Sequence, residues 1–380
     1  MIEHDNHGAE TLPKKVIMLV DLDYFYAQSE ELRNPSLKNK PVVVCVFSGR
    51  TEESGAVSTA NYIARGYGVR SGMPIYLAKK KLESVDAAFL PVDEKLYTGT
   101  SDKVMQLLRV YADEFEQVGI DEAYLDITKR VQGSFQNAEN LANIIKSELR
   151  NQLGLTCSVG VGPNKLVAKI AADEKKPDGL TIVEPDRVRG FLEPLAVDRL
   201  LGVGLKTAKK MAAMSICTIG DLARYDVQRL ISTFGRTRGT YFHNASIGVD
   251  DEPVKEKGEA ASLSRIATLV QNTSDLRVVL EKANELCVDL YANIVEQKRT
   301  FKSVSIILIA KDLSVYSRSR TLESSSNSLE LMERVAGELF EAFLSENPIE
   351  LRRVGVKLSG LSGIGMGQKQ ITGFFGSRQD

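Results

Sequence analysis

The sequence predicts an α+β protein, and three features of the chain carry that prediction. Up to residue 172, short apolar runs alternate with amphipathic stretches, as in a mixed sheet covered by helices. From Asp173 the pattern changes to short helices with few strands. From Ser262 it reads β-α-β-β-α-β, the split βαβ order.

The elements follow in sequence. Val16 to Val20 is a continuous apolar run that ends in Asp21-Leu22-Asp23, so it reads as a strand buried on both faces. Phe25 to Leu32 reads as a helix stopped at Asn34-Pro35. Pro41 to Val46 and Gly55 to Ala60 are strands, and helical stretches follow at Asn61 to Tyr67 and Ile75 to Lys81. Ser101 to Glu116 reads as one amphipathic helix leading to an Asp121-Glu122 turn and a strand through Ile127. Ala138 to Leu153 is a helix, Leu155 to Val161 a strand, and Asn164 to Glu174 a helix opened by Pro163. Gly248 to Ala260 is charged and holds glycine and proline, which reads as an exposed linker. Beyond it, strands are expected near Leu263–Val270, Ser303–Ala310, Ser314–Leu322 and Arg352–Leu358. Helices are expected near Leu276–Gln297 and Leu329–Leu344. Glycines 360, 363, 365 and 367 punctuate a flexible tail.

Composition narrows the chemistry. The 380 residues carry 49 basic and 50 acidic side chains, a balance that argues neither for nor against nucleic acid. No run of eighteen apolar residues exists, so no membrane span is expected. Met1 to Lys15 is polar and lacks the pattern of a signal peptide. Cys45, Cys157, Cys217 and Cys287 are scattered singly, which disfavours zinc and iron–sulfur sites and fits a reducing cytosol. Of the three histidines, His243 is the only one outside the N-terminal tail, so a histidine triad is not expected.

The strongest chemical signal is the set Asp21, Asp121 and Glu122, with Asp23 a weaker member. Any one of them is an ordinary carboxylate at a strand end. Together, each set against an apolar strand, they read as oxygen ligands for Mg²⁺. Two such ions about 3.5–4 Å apart would support phosphoryl or nucleotidyl transfer without a dedicated base. Tyr24, Phe25 and Tyr26 follow at once, and at least one of them should overlook the metals. Tyr62 and Arg65, three apart, share a helix face that can clasp phosphates, although a solvated face is the commoner meaning. Lys165 sits in the first turn of a helix, where a cation is disfavoured, so phosphate binding is expected there. Gly202, Gly204 and Lys206 form a helix–helix turn that either holds a DNA phosphate or only turns the chain. Gln368, Ile371, Phe374 and Phe375 close the sequence, and the paired phenylalanines read as anchors for a partner's pocket.

These residues resemble a Y-family DNA polymerase of the DinB (polymerase IV-like) branch, closest to archaeal members. The likeness is carried by residues 20–28, 40–50, 54–62, 120–127, 162–173 and 352–357, and covers roughly Lys14 to Ser359. The resemblance implies a right-hand polymerase with a ferredoxin-like palm (14–24 and 91–172), small fingers (25–90) and a helical thumb (173–247). A linker (248–261), a split βαβ little finger (262–359) and a tail (360–380) complete it, with 1–13 a separate N-terminal tail. It implies Asp21, Asp121, Glu122 and the Leu22 carbonyl as ligands of two Mg²⁺ ions, and Tyr26 as the steric gate against a ribose 2′-hydroxyl. Tyr24, Phe25, Thr59, Tyr62, Arg65 and Lys165 would contact the deoxynucleotide, and Ala56, Ser58 and Gly72 would roof the templating base. Gly202, Gly204 and Lys206 would touch primer phosphates, and the C-terminal box would dock on a ring-shaped sliding clamp. Gly119, Leu22, Leu201 and Ser58 depart from the usual family text without removing a carboxylate.

The implied activity is low-fidelity, template-directed translesion DNA synthesis by a cytoplasmic monomer. No segment is left over for an exonuclease, so proofreading is not expected. A nucleotidyl cyclase on the same palm is the rival enzyme, but its GG[DE]EF text is missing. A non-catalytic DNA- and clamp-binding protein is the other rival, and loss of a carboxylate would have suggested it.

Overall fold

The structure is a computed structural model and describes residues 14–256, 258 and 260–363. The chain divides into two compact units. Among the described residues, one holds 14–45, 57–73 and 78–256, the other 46–56, 74–77, 258 and 260–363. The C-terminal box of Gln368, Ile371, Phe374 and Phe375 lies outside the described residues.

The first unit is built on a five-stranded sheet of order β5-β6-β1-β7-β8. Its strands are β1 (Ile17–Leu22), β5 (Glu114–Gln117), β6 (Glu122–Asp126), β7 (Cys157–Gly162) and β8 (Leu180–Ile182). The apolar β1 takes the centre, antiparallel to β6 and β7 and buried throughout. Alternation then divides its side chains. Met18, Val20 and Leu22 enter a core with Ala123, Leu125 and Val159. Ile17 and Leu19 point the other way, into a layer with Tyr124, Ala168, Ala172 and Val254. Asp21 shares the parity of Ile17 and Leu19, and Glu122 that of Tyr124, so one face of the sheet receives both carboxylates. Helix α6 (Lys165–Glu174) covers that face through Ala168 and Ala172.

The helices up to residue 148 are α1 (Phe25–Arg33), α2 (Tyr62–Gly66), α3 (Ile75–Lys81), α4 (Glu94–Arg109) and α5 (Phe135–Glu148). A three-stranded sheet orders β3 (Gly55–Ala60), β2 (Val42–Phe47) and β4 (Ala88–Pro91). Five short helices follow the five-stranded sheet: α7 (Val188–Leu192), α8 (Leu205–Ala212), α9 (Ile219–Arg224), α10 (Val227–Phe234) and α11 (Arg236–Ser246). They close over a core that includes Leu192, Met211, Ile219, Leu230 and Phe242.

Two expectations are corrected here. The helix expected over Ser101–Glu116 begins earlier and ends at Arg109. Asp93 caps its start by accepting from the Leu96 N–H at 3.1 Å, and Glu114 to Gln117 is strand β5. The linker expected to be exposed is docked in part. Val254 is 5% exposed in the layer with Ile17 and Leu19, Asp250 accepts from the Leu166 N–H at 2.9 Å, and Glu252 pairs with Lys165 at 3.2 Å.

The second unit contains β9 (Ser262–Thr273), α12 (Leu276–Glu296), β10 (Arg299–Ala310), β11 (Val315–Ser326), α13 (Leu329–Glu346), β12 (Leu351–Ser359) and the two-residue β13 (Ser362–Gly363). The sheet order is β11-β10-β12-β9, with β12 antiparallel to both β9 and β10, which is the split βαβ arrangement read from the sequence. One side of the sheet is packed by α12 and α13 around Leu290, Phe340 and Phe343. Among the described residues no helix is long and apolar enough to cross a membrane.

Candidate active site

The carboxylates meet at one end of the central strand. Asp21 stands directly opposite Glu122 in the β1–β6 register and opposite Ser158 on β7. Asp121 is in the turn entering β6, and its carbonyl accepts from the Leu22 N–H at 2.8 Å. That turn is held from α4, where buried Ser101 donates to the Ile120 carbonyl at 2.5 Å. Gly119 leaves room for it, since a Cβ there would stand 3.1 Å from Asp121 Oδ1 and 3.2 Å from Glu122 Cγ.

A cavity of 330 Å³ opens over the strand ends, lined by Asp21, Leu22, Asp121 and Glu122 on one side and by Thr59, Tyr62 and Arg65 on another. Lys169 and Lys176 enter it from α6 and the turn beyond. Lys169 Nζ bridges two acids, at 2.9 Å from Asp21 Oδ2 and 2.5 Å from Glu122 Oε2. Lys176 Nζ lies 2.8 Å from the same Asp21 oxygen. Burial acts to raise the Asp21 carboxyl, but these two ammoniums prevail and hold it below the usual carboxylate range. Asp121 has no ion-pair partner among the described residues. Burial first, then the charges of Asp21 and Glu122, push its carboxyl up. Of the three acids Asp21, Asp121 and Glu122, Asp121 is therefore the one that pays most for carrying its charge.

That donor set is all oxygen and anionic, and two ammoniums already stand in as its cations, so it fits hard divalent ions. With lysines between the acids, no three His, Cys, Asp or Glu side chains among the described residues converge on a single point. A larger cavity of 490 Å³ shares only Tyr24 and Tyr62 with this one and has no comparable set of carboxylates.

Comparison with known proteins identifies the family. Residues 20–173 match the impB/mucB/samB family, residues 260–373 its C-terminal domain, and residues 198–250 the thumb domain of DNA polymerase-iota. DNA polymerase IV of Nitrosopumilus maritimus (strain SCM1) is 47% identical over 362 residues, spanning 95% of this chain and 99% of the relative. DNA polymerase IV of Methanosarcina acetivorans is 46% identical, spanning 92% and 96%. The chain belongs to the Y-family DNA polymerases.

Solved Y-family structures share the fold. The Y-family DNA polymerase chimera Dbh-Dpo4(243-245)-Dbh superposes with a TM-score of 0.86 at 36% identity, covering 92% of this chain and 99% of its own. DinB from Sulfolobus solfataricus gives 0.63 at 35% identity, covering 90% and 98%. Y-family polymerases are metal-dependent nucleotidyltransferases.

Within the Y-family frame, the other residues read from the sequence fall in several places. Tyr24 and Phe25 line the cavity. Tyr24 meets Tyr62 edge to face, ring centroids 5.4 Å apart, and Arg65 lies 4.8 Å from the Tyr62 centroid. Tyr26 stacks on Tyr97 at 4.1 Å and 10°, and Asp121 contributes to raising its hydroxyl after burial does. Tyr97 is in turn fixed by a 2.7 Å donation to Glu30. Ser58, Gly72, Gly202, Gly204 and Lys206 do not line the cavity, and Ala56 falls in the second unit. Gly202, at φ +79°, and Gly204 form the turn into α8, with Lys206 exposed.

Lys165 is not in the cavity. Its ammonium is 2.8 Å from Glu116 and 3.2 Å from Glu252, over the Tyr124 ring, while the N-terminus of α6 is taken by Asp250. The anion expected at that helix end is therefore the protein's own. Lys169, one turn further along the same face, is the lysine of α6 that reaches the acids. Asp23 is also reassigned. Its buried carboxylate is satisfied by the Ser158 hydroxyl at 2.8 Å and the Asp178 N–H at 2.9 Å, which makes it an anchor for chain. Sequence reasoning passed over Lys169 and Lys176. Helical spacing from Lys165 offered a signal for the first only.

Proposed function

We infer that the chain is a template-directed translesion DNA polymerase that adds deoxynucleotides to a primer 3′ end by two-metal nucleotidyl transfer. The observation carrying this reading is the meeting of Asp21, Asp121 and Glu122, from distant stretches of chain, in a cavity that also receives Arg65 and Lys169. In this proposal Asp21, Asp121, Glu122 and the Leu22 carbonyl hold two Mg²⁺ ions. When bound, such ions lower the pKa of the attacking hydroxyl and neutralise the leaving phosphate. Arg65 presents a planar fork suited to phosphate oxygens, and its stacking on Tyr62 limits where that fork can point. Thr59, Tyr62 and Lys169 complete the phosphate contacts, with Lys169 taking the role first read for Lys165. Phe25 and Tyr26 border the sugar, with Tyr26 as the gate against a 2′-hydroxyl.

We assign the palm to 14–24 and 91–172, the fingers to 25–90, the thumb to 173–247 and the little finger to 262–359. Primer phosphates would rest on the turn of Gly202, Gly204 and Lys206, and the templating base under Ala56, Ser58 and Gly72. The C-terminal box would dock a ring-shaped clamp. The protein would act as a monomer in the cytoplasm.

Primer extension with the doubly substituted Asp121→Ala, Glu122→Ala protein tests the reading. Abolished synthesis with retained folding is expected, and full activity ends the proposal. Omitting template and primer gives no product, whereas a cyclase would need neither.

A further inference from the structure

Lys176 is brought to the carboxylates by a turn fixed from beneath. The turn follows α6, and the Asp23 carboxylate, only 1% exposed, binds it through the Asp178 N–H at 2.9 Å. The other Asp23 oxygen accepts from Ser158 Oγ at 2.8 Å, and that hydroxyl accepts from the Gly179 N–H at 3.3 Å. Lys146 adds a second tie, donating 2.7 Å to the Cys157 carbonyl, 3.1 Å to the Gly179 carbonyl and 2.8 Å to Asp178. A Cβ on Gly179 would fall 2.1 Å from the Lys175 carbonyl oxygen, so the turn is closed tightly on itself. A buried carboxylate is costly unless fully bonded. Here one is bonded entirely to the strand and turn that set the position of Lys176.

The Lys176 ammonium has two partners of different kinds. Asp21 Oδ2, at 2.8 Å, belongs to the catalytic set. Asp173 Oδ1, also at 2.8 Å, lies one helical turn away on the exposed side and does not line the cavity. A divalent ion on Asp21 would repel an ammonium at that distance, but Lys176 would still have Asp173 to hold it.

We propose that Lys176, held in place by the Asp23-anchored turn, is a resident counter-cation of the carboxylate site beside Lys169. It neutralises Asp21 until a divalent ion arrives and then withdraws to Asp173. The proposal rests on the carboxylate reading given under Proposed function. The device keeps an acid-rich cavity from costing stability in the nucleotide-free protein, and it makes divalent-ion binding a competition with the chain's own charge.

Calorimetric titration of the full chain with Mn²⁺, without nucleotide, tests it. Lys176→Met should bind Mn²⁺ about fivefold tighter, the worth of one partly exposed ion pair. Its metal-free melting temperature should fall below wild type, and saturating Mn²⁺ should erase the difference. Lys176→Arg, which keeps the charge, should restore wild-type affinity. Asp23→Asn should shift affinity in the same direction as Lys176→Met, but less. Unchanged or weaker Mn²⁺ binding by Lys176→Met, with Asp21→Ala losing binding as expected, overturns this proposal and leaves the carboxylate reading intact. Wild-type binding by Asp21→Ala would overturn both.

Discussion

Replacing Gly160 by alanine should damage stability and catalysis together. Gly160 sits in β7, opposite Leu19 of β1, with α6 lying directly on it. A Cβ at this position would stand 2.1 Å from the Ala168 carbonyl oxygen, 2.2 Å from the Ala172 nitrogen and 2.9 Å from the Ala171 carbonyl carbon. All three are backbone atoms, so no side chain can swing away. The helix would have to retreat by about 1 Å or more to reach ordinary contact distance. Overpacking of this kind costs about 1–3 kcal/mol, and rigid neighbours favour the upper end. For a unit of this size that is a fall in Tm of about 5–10 °C. Lys169 rides on the displaced helix, and a misplacement of about 1 Å near the reacting groups can cost about 10²-fold in rate. Thermal melts followed by circular dichroism and steady-state primer extension read the two effects. Gly190→Ala is the matched control, because a Cβ there meets nothing within 4 Å. A Gly160→Ala protein that melts and extends primers like wild type would refute the packing described between α6 and β7.

Three further outcomes are expected. Tyr26→Ala should admit ribonucleotides, seen as a rise of about 10²-fold or more in the ratio of ribo- to deoxynucleotide incorporation, and unchanged sugar selection would remove Tyr26 from the gate role. Deleting residues 368–380 should spare distributive synthesis and abolish stimulation by a sliding clamp, with retained stimulation assigning the phenylalanines another purpose. Asp221 closes a capping box with Thr218 at the start of α9, and bonds from the Thr218 and Cys217 N–H groups hold its carboxyl down at about 2, below the ordinary 3.8. A depressed folded value means its stabilisation is complete above the unfolded value and disappears as pH falls through the folded one. Asp221→Ala should therefore melt below wild type at pH 7, with the gap closing between about pH 4 and pH 2.

The features easiest to read in the sequence were those that one strand or helix decides alone. The apolar run into Asp21 is the central strand, and the β-α-β-β-α-β pattern after Ser262 is the second sheet. What the sequence hid were decisions made by partners far along the chain. Lys165 and Lys169 are a turn apart on one helix face, and a lone cation at a helix N-terminus suggested a phosphate. The deciding residues were Glu116, 49 positions away, and the acids of the stretch around Asp250 to Glu252. Glu116 itself was masked because Ser101 to Glu116 has an amphipathic rhythm that runs a helix and a strand together. Asp93, a natural N-cap, was the available clue that the helix starts and stops earlier. Asp23 was legible as an acid beside a metal ligand. Its true partners, Ser158 and Asp178, lie 135 and 155 positions away.

The placement of Asp21 inside a strand paired on both sides has an evolutionary corollary. Sliding β1 by a single position would carry Asp21 to the face that holds Met18 and Val20, and would turn Leu22 toward Lys169. Insertions and deletions should thus be purged from this stretch as strictly as changes to the aspartate itself. A surface loop can take an added residue without changing which face a side chain meets; the middle strand cannot.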